Sequence, residues 1–185
     1  MSDRWRWVPN ALTLLRILMV APFAWALIGE RYPGALMIFF VAAATDGLDG
    51  FLARFYGWRT RLGAIADPLA DKLLLTTAWF CFSLTGLVPW WLFVLVLARD
   101  LAIVVGGLLF HRFIGQFDVQ PSILGKLNTL IQVAGAVLVM MLQAGVVLPG
   151  GAMSVIIAMI AVSACVSGGH YIWVWGLRAW RGRAG

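Results

Sequence analysis

Asp46, Asp49, Gly50, Ala53, Arg54, Gly63, Asp67 and Asp71 fall in one short stretch, DGLDGFLARFYGWRTRLGAIADPLAD, and take half of the chain's eight acidic residues. The sequence around them is 62% hydrophobic, and a carboxylate kept at the edge of hydrocarbon costs about 2.5–3.5 kcal/mol on insertion scales. Four oxygen donors without histidine or thiolate select hard cations, Mg²⁺ or Mn²⁺ before Ca²⁺. Four uncompensated anions in a low dielectric could not all stay ionised, so the acids require the metal as much as it requires them. Two such ions about 3.5–4 Å apart serve in-line displacement at phosphorus. A carboxylate not fully used by metal can act as general base toward an attacking hydroxyl. The chemistry these residues suggest is metal-assisted phosphoryl-type transfer at a membrane surface.

Helical elements must position them. Asp46 and Asp49, at i and i+3 near the end of the second apolar stretch, share a helix face. Gly50 beside them lets a partner or ligand approach closely, and Arg54 lies about 6 Å further along at 1.5 Å rise per residue. Residues 55–62 are expected to form a polar loop, with re-entry at 63–66. Asp67-Pro68 then reads as the N-cap and first residue of the third span, with Asp71 one turn further in. Two antiparallel helices would meet with two carboxylates each.

The chain has 185 residues and a mean hydropathy of +0.92, which makes it a membrane protein with little room for a soluble domain. Apolar stretches near 9–29, 34–54, 67–86, 89–111, 122–147 and 151–177 predict a single domain over 1–185, all-α by necessity, with six transmembrane helices and an interfacial segment at 1–8. The net charge of +6 is topological rather than a nucleic-acid signature. Arg4, Arg6, Arg54, Arg59, Arg61, Arg112, Lys126, Arg178, Arg181 and Arg183 fall in alternate connections and at the ends. By the positive-inside rule this places both termini in the cytoplasm. Tryptophans near span ends (Trp58, Trp90, Trp91, Trp173, Trp175) are interface anchors. No cleavable signal is evident, and Cys81 and Cys165, both in apolar runs, are expected to be buried and unpaired.

The pattern D-x₂-D-G-x₂-A-R-x₈-G-x₃-D-x₃-D resembles the signature of the CDP-alcohol phosphatidyltransferases at every fixed position and gap. Chance would produce it on the order of once in 10¹⁰ windows. Pro9-Asn10-Ala-Leu-Thr13-Leu-Leu-Arg16, Arg99-Asp100 and Gly125-Lys126-Leu-Asn128-Thr129 resemble further polar positions of the family's phospholipid-synthesising branch. The resemblance implies that Asp46, Asp49, Asp67 and Asp71 hold two Mg²⁺ or Mn²⁺ ions, with Asp71 also the catalytic base. It further implies that Asp46, Asp49, Gly50, Ala53, Arg54 and Gly63, bordered by Asn10 and Thr13, bind CDP-diacylglycerol. An alcohol would attack the lipid-side phosphorus and release CMP. A glycerol-type acceptor is expected, and Arg99, Arg112 and Lys126 are candidate ligands of an acceptor phosphate. Glycerol 3-phosphate, as in phosphatidylglycerophosphate synthases, and phosphatidylglycerol, as in eukaryotic-type cardiolipin synthases, both remain open. Gly125 favours the first and Asn128 the second. A homodimer, a bacterial inner-membrane location and a cytoplasmic active site are also family expectations.

Simpler readings compete residue by residue. The four acids could be a structural ion-pair cluster with Arg54, Arg59 or Lys72, although membrane ion pairs rarely repeat one sign four times. Arg16, Arg54, Arg99 and Lys126 could be snorkelling cations near cytoplasmic span ends. His111 and His170 read as interfacial or packing residues. Gly106-Gly107 and Gly168-Gly169 read as close helix contacts. An ion pathway would spread acids through the bilayer depth, whereas these cluster at one end. A non-catalytic lipid-binding protein would need no base.

Overall fold

The computed structural model describes the backbone of residues 8–56, 61–114 and 122–181, and the side chains of 11, 13–45, 72–106, 122–171 and 173–174. Every element among the described residues is a helix: α1 Val8–Ile28, α2 Tyr32–Tyr56, α3 Arg61–Leu84, α4 Trp90–Ile114, α5 Ile123–Gln143 and α6 Ala152–Arg181. The interfacial segment expected at 1–8 lies almost wholly outside them. The stretches Ile123–Gln143 and Ala152–Tyr171 are long and apolar enough to cross a bilayer. Thr13–Ile28, Tyr32–Thr45 and Lys72–Leu84 are shorter apolar stretches.

The helix ends follow local chemistry. After α1, Arg31 N–H bonds Ala26 C=O and Glu30 N–H bonds Leu27 C=O, with Glu30 at φ 55°. The same crossed pair closes α3 through Gly86 (φ 76°) and α5 through Gly145 (φ 92°). This closure needs a left-handed residue, which glycine supplies without strain and Glu30 does not. Pro22 lies inside α1, a position membrane helices tolerate.

One expectation fails at α3. Asp67 is not an N-cap and Pro68 does not begin the helix, because α3 starts six residues earlier at Arg61. Arg61, Leu62, Ala64 and Ala66 are good helix formers, and in apolar surroundings continued helix satisfies backbone groups that a re-entrant loop would leave open. Pro68 therefore sits inside the helix and withholds one donor from Ala64 C=O. Gly63, Asp67 and Asp71 all belong to one element.

The chain forms two compact units, Met1–Leu87 with Val139–Val147, and Val88–Leu138 with Leu148–Gly185. In the first, α1 packs against both α2 and α3. Phe23 and Leu27 of α1, Ala35, Phe39 and Ala42 of α2, and Leu74, Ala78, Trp79 and Phe82 of α3 are buried, with the Phe23 and Phe39 rings 5.9 Å apart. In the second, α4 packs against α6. Leu92, Val96, Ile156, Ile160 and Ala164 are buried there beside the polar Arg99, Asn128, Gln132 and Ser167. Meanwhile Trp25 is 73% exposed, Met37 70% and Ile123 83%. Large apolar side chains outside, with several polar ones among the buried residues, is the arrangement expected when the surroundings are lipid.

Cys81 is buried as expected, but Cys165 is exposed. It shares a stripe of α6 with exposed Val162, Val166 and Trp173. An apolar run marks lipid-facing and core positions alike, so hydropathy could not separate the two cysteines.

Candidate functional site

The residues of the acidic motif are divided between two helices. Asp46, Asp49, Gly50, Ala53 and Arg54 lie on α2, and Gly63, Asp67 and Asp71 on α3. Their side chains lie outside the described residues, as do those of Asn10 on α1 and Arg112 on α4. Helical backbone puts the first two acids at i and i+3 and the second two at i and i+4, the spacings that share a helix face. The two helices have a common neighbour in α1. The donor set, four carboxylates with no nitrogen or sulfur ligand in the motif, fits a hard divalent cation.

On α1, Thr13 is 2% exposed and Arg16 only 1%. A guanidinium enclosed by protein does not snorkel to headgroups, so the structure removes that reading for Arg16. It also gives Arg16 a place the sequence could not: it is buried on the helix that both acid-bearing helices pack against.

A second polar cluster lies within the unit formed by α4, most of α5 and α6. Arg99 of α4 is buried too, which likewise excludes snorkelling. Its Nη1 donates to Asp100 Oδ1 at 2.7 Å, its Nη2 donates to Ser167 Oγ, and its guanidinium carbon is 6.0 Å from the centre of the Tyr171 ring. Ser122 caps α5 by accepting Gly125 N–H on its Oγ at 3.0 Å, while its own N–H donates to Tyr171 Oη at 3.2 Å. Gly125 packs tightly here: a Cβ would lie 3.1 Å from Tyr171 Oη and 3.4 Å from Arg99 Nη2. Lys126, one residue on, is exposed on the first turn of α5. Deeper along α5, Ser163 Oγ approaches Asn128 Oδ1 at 3.0 Å. The Nδ2 of Asn128 and the Nε2 of Gln132 are buried with no protein hydrogen-bond partner among the described residues.

The sequence singled out Arg99 and Lys126 but not Ser163, Ser167 or Tyr171, which the structure places beside Arg99, Ser122 and Asn128. Their signal was a polar residue every fourth position along the last apolar stretch, which places them on one helix face. Of the paired glycines, a Cβ added at Gly168 would lie 3.5 Å from Arg99 Cγ, an ordinary contact, and one added at Gly169 would meet nothing within 4 Å. A close helix contact among the described residues is at Gly135, where a Cβ would lie 2.8 Å from Ile160 Cδ1; Gly107 lies outside the described side chains.

The family model for CDP-alcohol phosphatidyltransferase matches residues 6–174. A probable phosphatidylglycerophosphate synthase of Mycobacterium tuberculosis is 42% identical over 129 residues, covering 66% of this chain and 60% of that protein. A CDP-diacylglycerol–glycerol-3-phosphate 3-phosphatidyltransferase of Aquifex aeolicus is 36% identical over 126 residues, covering 66% and 69%. A putative cardiolipin synthase of Mycobacterium bovis is 35% identical over 104 residues, covering 55% and 48%. The matched segment thus spans less than two thirds of either mycobacterial relative. A family match over nearly the whole chain, joined to eight motif residues at the expected spacing on two helices, assigns this protein to the CDP-alcohol phosphatidyltransferase family.

Proposed function

We propose that this protein transfers the phosphatidyl group of CDP-diacylglycerol to the hydroxyl of glycerol 3-phosphate, releasing CMP and forming phosphatidylglycerophosphate. The observation that carries this reading is the acid pair on each of α2 and α3, two helices packed on the same neighbour. In this mechanism Asp46, Asp49, Asp67 and Asp71 hold two divalent ions, Mg²⁺ or Mn²⁺. Their chemistry, when bound, is to neutralise the diphosphate and polarise the phosphorus under attack. Asp71 accepts the acceptor hydroxyl's proton as its oxygen bonds to the lipid-side phosphorus and the bond from that phosphorus to the CMP oxygen breaks. Gly50, Ala53 and Gly63 leave room for the nucleotide beside Asn10 and Thr13, and Arg54 pairs with the diphosphate. Lys126 and Arg112 supply positive charge to the acceptor's phosphate.

The reading extends to topology. Six membrane crossings, both termini and the active site on the cytoplasmic side of a bacterial inner membrane, and a homodimer complete the proposal, supported by the charge asymmetry of the connections and by family membership. Cardiolipin synthesis from phosphatidylglycerol is the second reading, favoured by the name of the Mycobacterium bovis relative. The test is CMP release by detergent-purified protein supplied with CDP-diacylglycerol, a divalent ion and one acceptor at a time. Release that depends on glycerol 3-phosphate supports the first reading; release that depends on phosphatidylglycerol replaces it with the second.

A further inference from the structure

Arg99 looks at first like a ligand for the acceptor's phosphate, being a cation near Lys126 in sequence pattern and in chemistry. Its surroundings point to another task. Two of its three nitrogens are committed within the protein, Nη1 to Asp100 and Nη2 to Ser167, and the side chain is 6% exposed. Its plane lies near the Tyr171 ring, and the hydroxyl of that ring accepts the N–H of Ser122, the residue that caps α5. Gly125, in the first turn of α5, lies close under both: a Cβ there would be 3.1 Å from Tyr171 Oη and 3.4 Å from Arg99 Nη2. Each contact leads from a buried cation on α4, through α6, to the start of the helix that carries Lys126.

We propose that Arg99 is a positioning residue: through Ser167 and Tyr171 it seats the N-terminus of α5, and thereby sets where Lys126 meets the acceptor. This rests on the transferase reading and deepens it by separating the cation that touches the acceptor from the one that places it. The long lysine side chain is exposed and rotatable, so its only fixed reference is the helix turn it leaves from. Ser122 and Gly125 hold that turn. A tyrosine hydroxyl and a serine hydroxyl carry no charge, yet in this arrangement both govern how well an anionic acceptor is bound.

The test compares uncharged links in the chain with its charged end. Tyr171→Phe keeps the ring and removes only the oxygen that receives Ser122 N–H; Ser167→Ala removes the Nη2 partner; Arg99→Lys keeps the charge and loses the fork. CMP release is followed against glycerol 3-phosphate and, separately, against CDP-diacylglycerol. Tyr171→Phe is expected to raise the KM for glycerol 3-phosphate about three- to tenfold, the worth of one hydrogen bond, with the KM for CDP-diacylglycerol unchanged. In the Arg99→Lys background it should add little, because both changes release the same turn. If Tyr171→Phe leaves the acceptor KM alone while Arg99→Lys raises it, Arg99 binds the acceptor directly and the proposal falls. Amide hydrogen exchange across residues 122–126 reads the same device without activity. Faster exchange in Tyr171→Phe and Arg99→Lys supports it, and wild-type protection in both overturns it. Should wild-type protein release no CMP with any acceptor, the transferase reading fails, while the exchange measurement still decides whether Arg99 seats α5.

Discussion

Replacing Asp100 by alanine should be among the most damaging single changes outside the acidic motif. The Arg99 and Asp100 side chains are 6% and 12% exposed, and the bond between them is 2.7 Å. Removing one partner of a buried pair leaves the other charge uncompensated in low dielectric, at a cost of about 3–5 kcal/mol. Ser167 Oγ and the Tyr171 ring still face the guanidinium, but neither carries the countercharge, so a value near the lower end, about 3 kcal/mol, is expected. That lowers the ratio of folded to unfolded protein by about a hundredfold or more. Replacing both members by leucine should be far milder, because no buried charge remains and the apolar volume is kept. Unfolding free energies from SDS titration in mixed micelles would compare both variants with the wild-type protein. If Asp100→Ala costs no more than the ~1 kcal/mol of an exposed pair, the claim that Arg99 is an enclosed, internally balanced cation is wrong.

Other consequences follow from particular contacts. Gly135→Leu should destabilise by about 1–3 kcal/mol through overpacking, since even a Cβ would lie 2.8 Å from Ile160 Cδ1; wild-type unfolding in the same titration would contradict the close approach of α5 and α6. Glu30→Gly should stabilise by about 1 kcal/mol by relieving the left-handed backbone of a side-chain-bearing residue, read as a higher Tm; an unchanged or lower Tm would show that φ 55° carries no strain there. Chelation with EDTA should abolish CMP release, and added Mg²⁺ or Mn²⁺ should restore it, with Asp46→Asn shifting the restoring concentration upward. Activity that survives chelation would remove the metal from the mechanism.

The acidic motif stood out in the sequence because carboxylates at i, i+3 and i, i+4 and glycines at fixed offsets leave a sharper trace than hydropathy does. Helix number was legible for a related reason, since apolar stretches the length of a bilayer are separated here by Gly- and Pro-bearing connections such as Thr85–Pro89 and Val146–Ala152. The start of α3 was misread because Asp67-Pro68 is a strong local start signal and the preceding residues, Arg61–Ala66, form helix for reasons that only the apolar setting makes decisive. Cys165 was misplaced because lipid and protein core look alike to an apolar side chain. Arg16 and Arg99 were ambiguous in sequence for the opposite reason, as a cation near a span end can reach outward or inward. Only the packing of α1 and of α4 with α6 shows that both turn inward. Ser167 and Tyr171 went unnoticed because their importance lies in whom they touch, a relation between helices distant in sequence.

The measurement that bears most directly on the central claim compares wild-type protein with Asp71→Asn, both purified in detergent with a divalent ion, CDP-diacylglycerol and acceptor. Wild-type protein should release CMP, and the variant should do so about 10²-fold or more slowly, the usual worth of a positioned general base, while still binding the CDP-lipid. A variant that keeps near-wild-type kcat would refute Asp71 as the base. A wild-type protein that releases no CMP with any alcohol acceptor would contradict the transferase account itself.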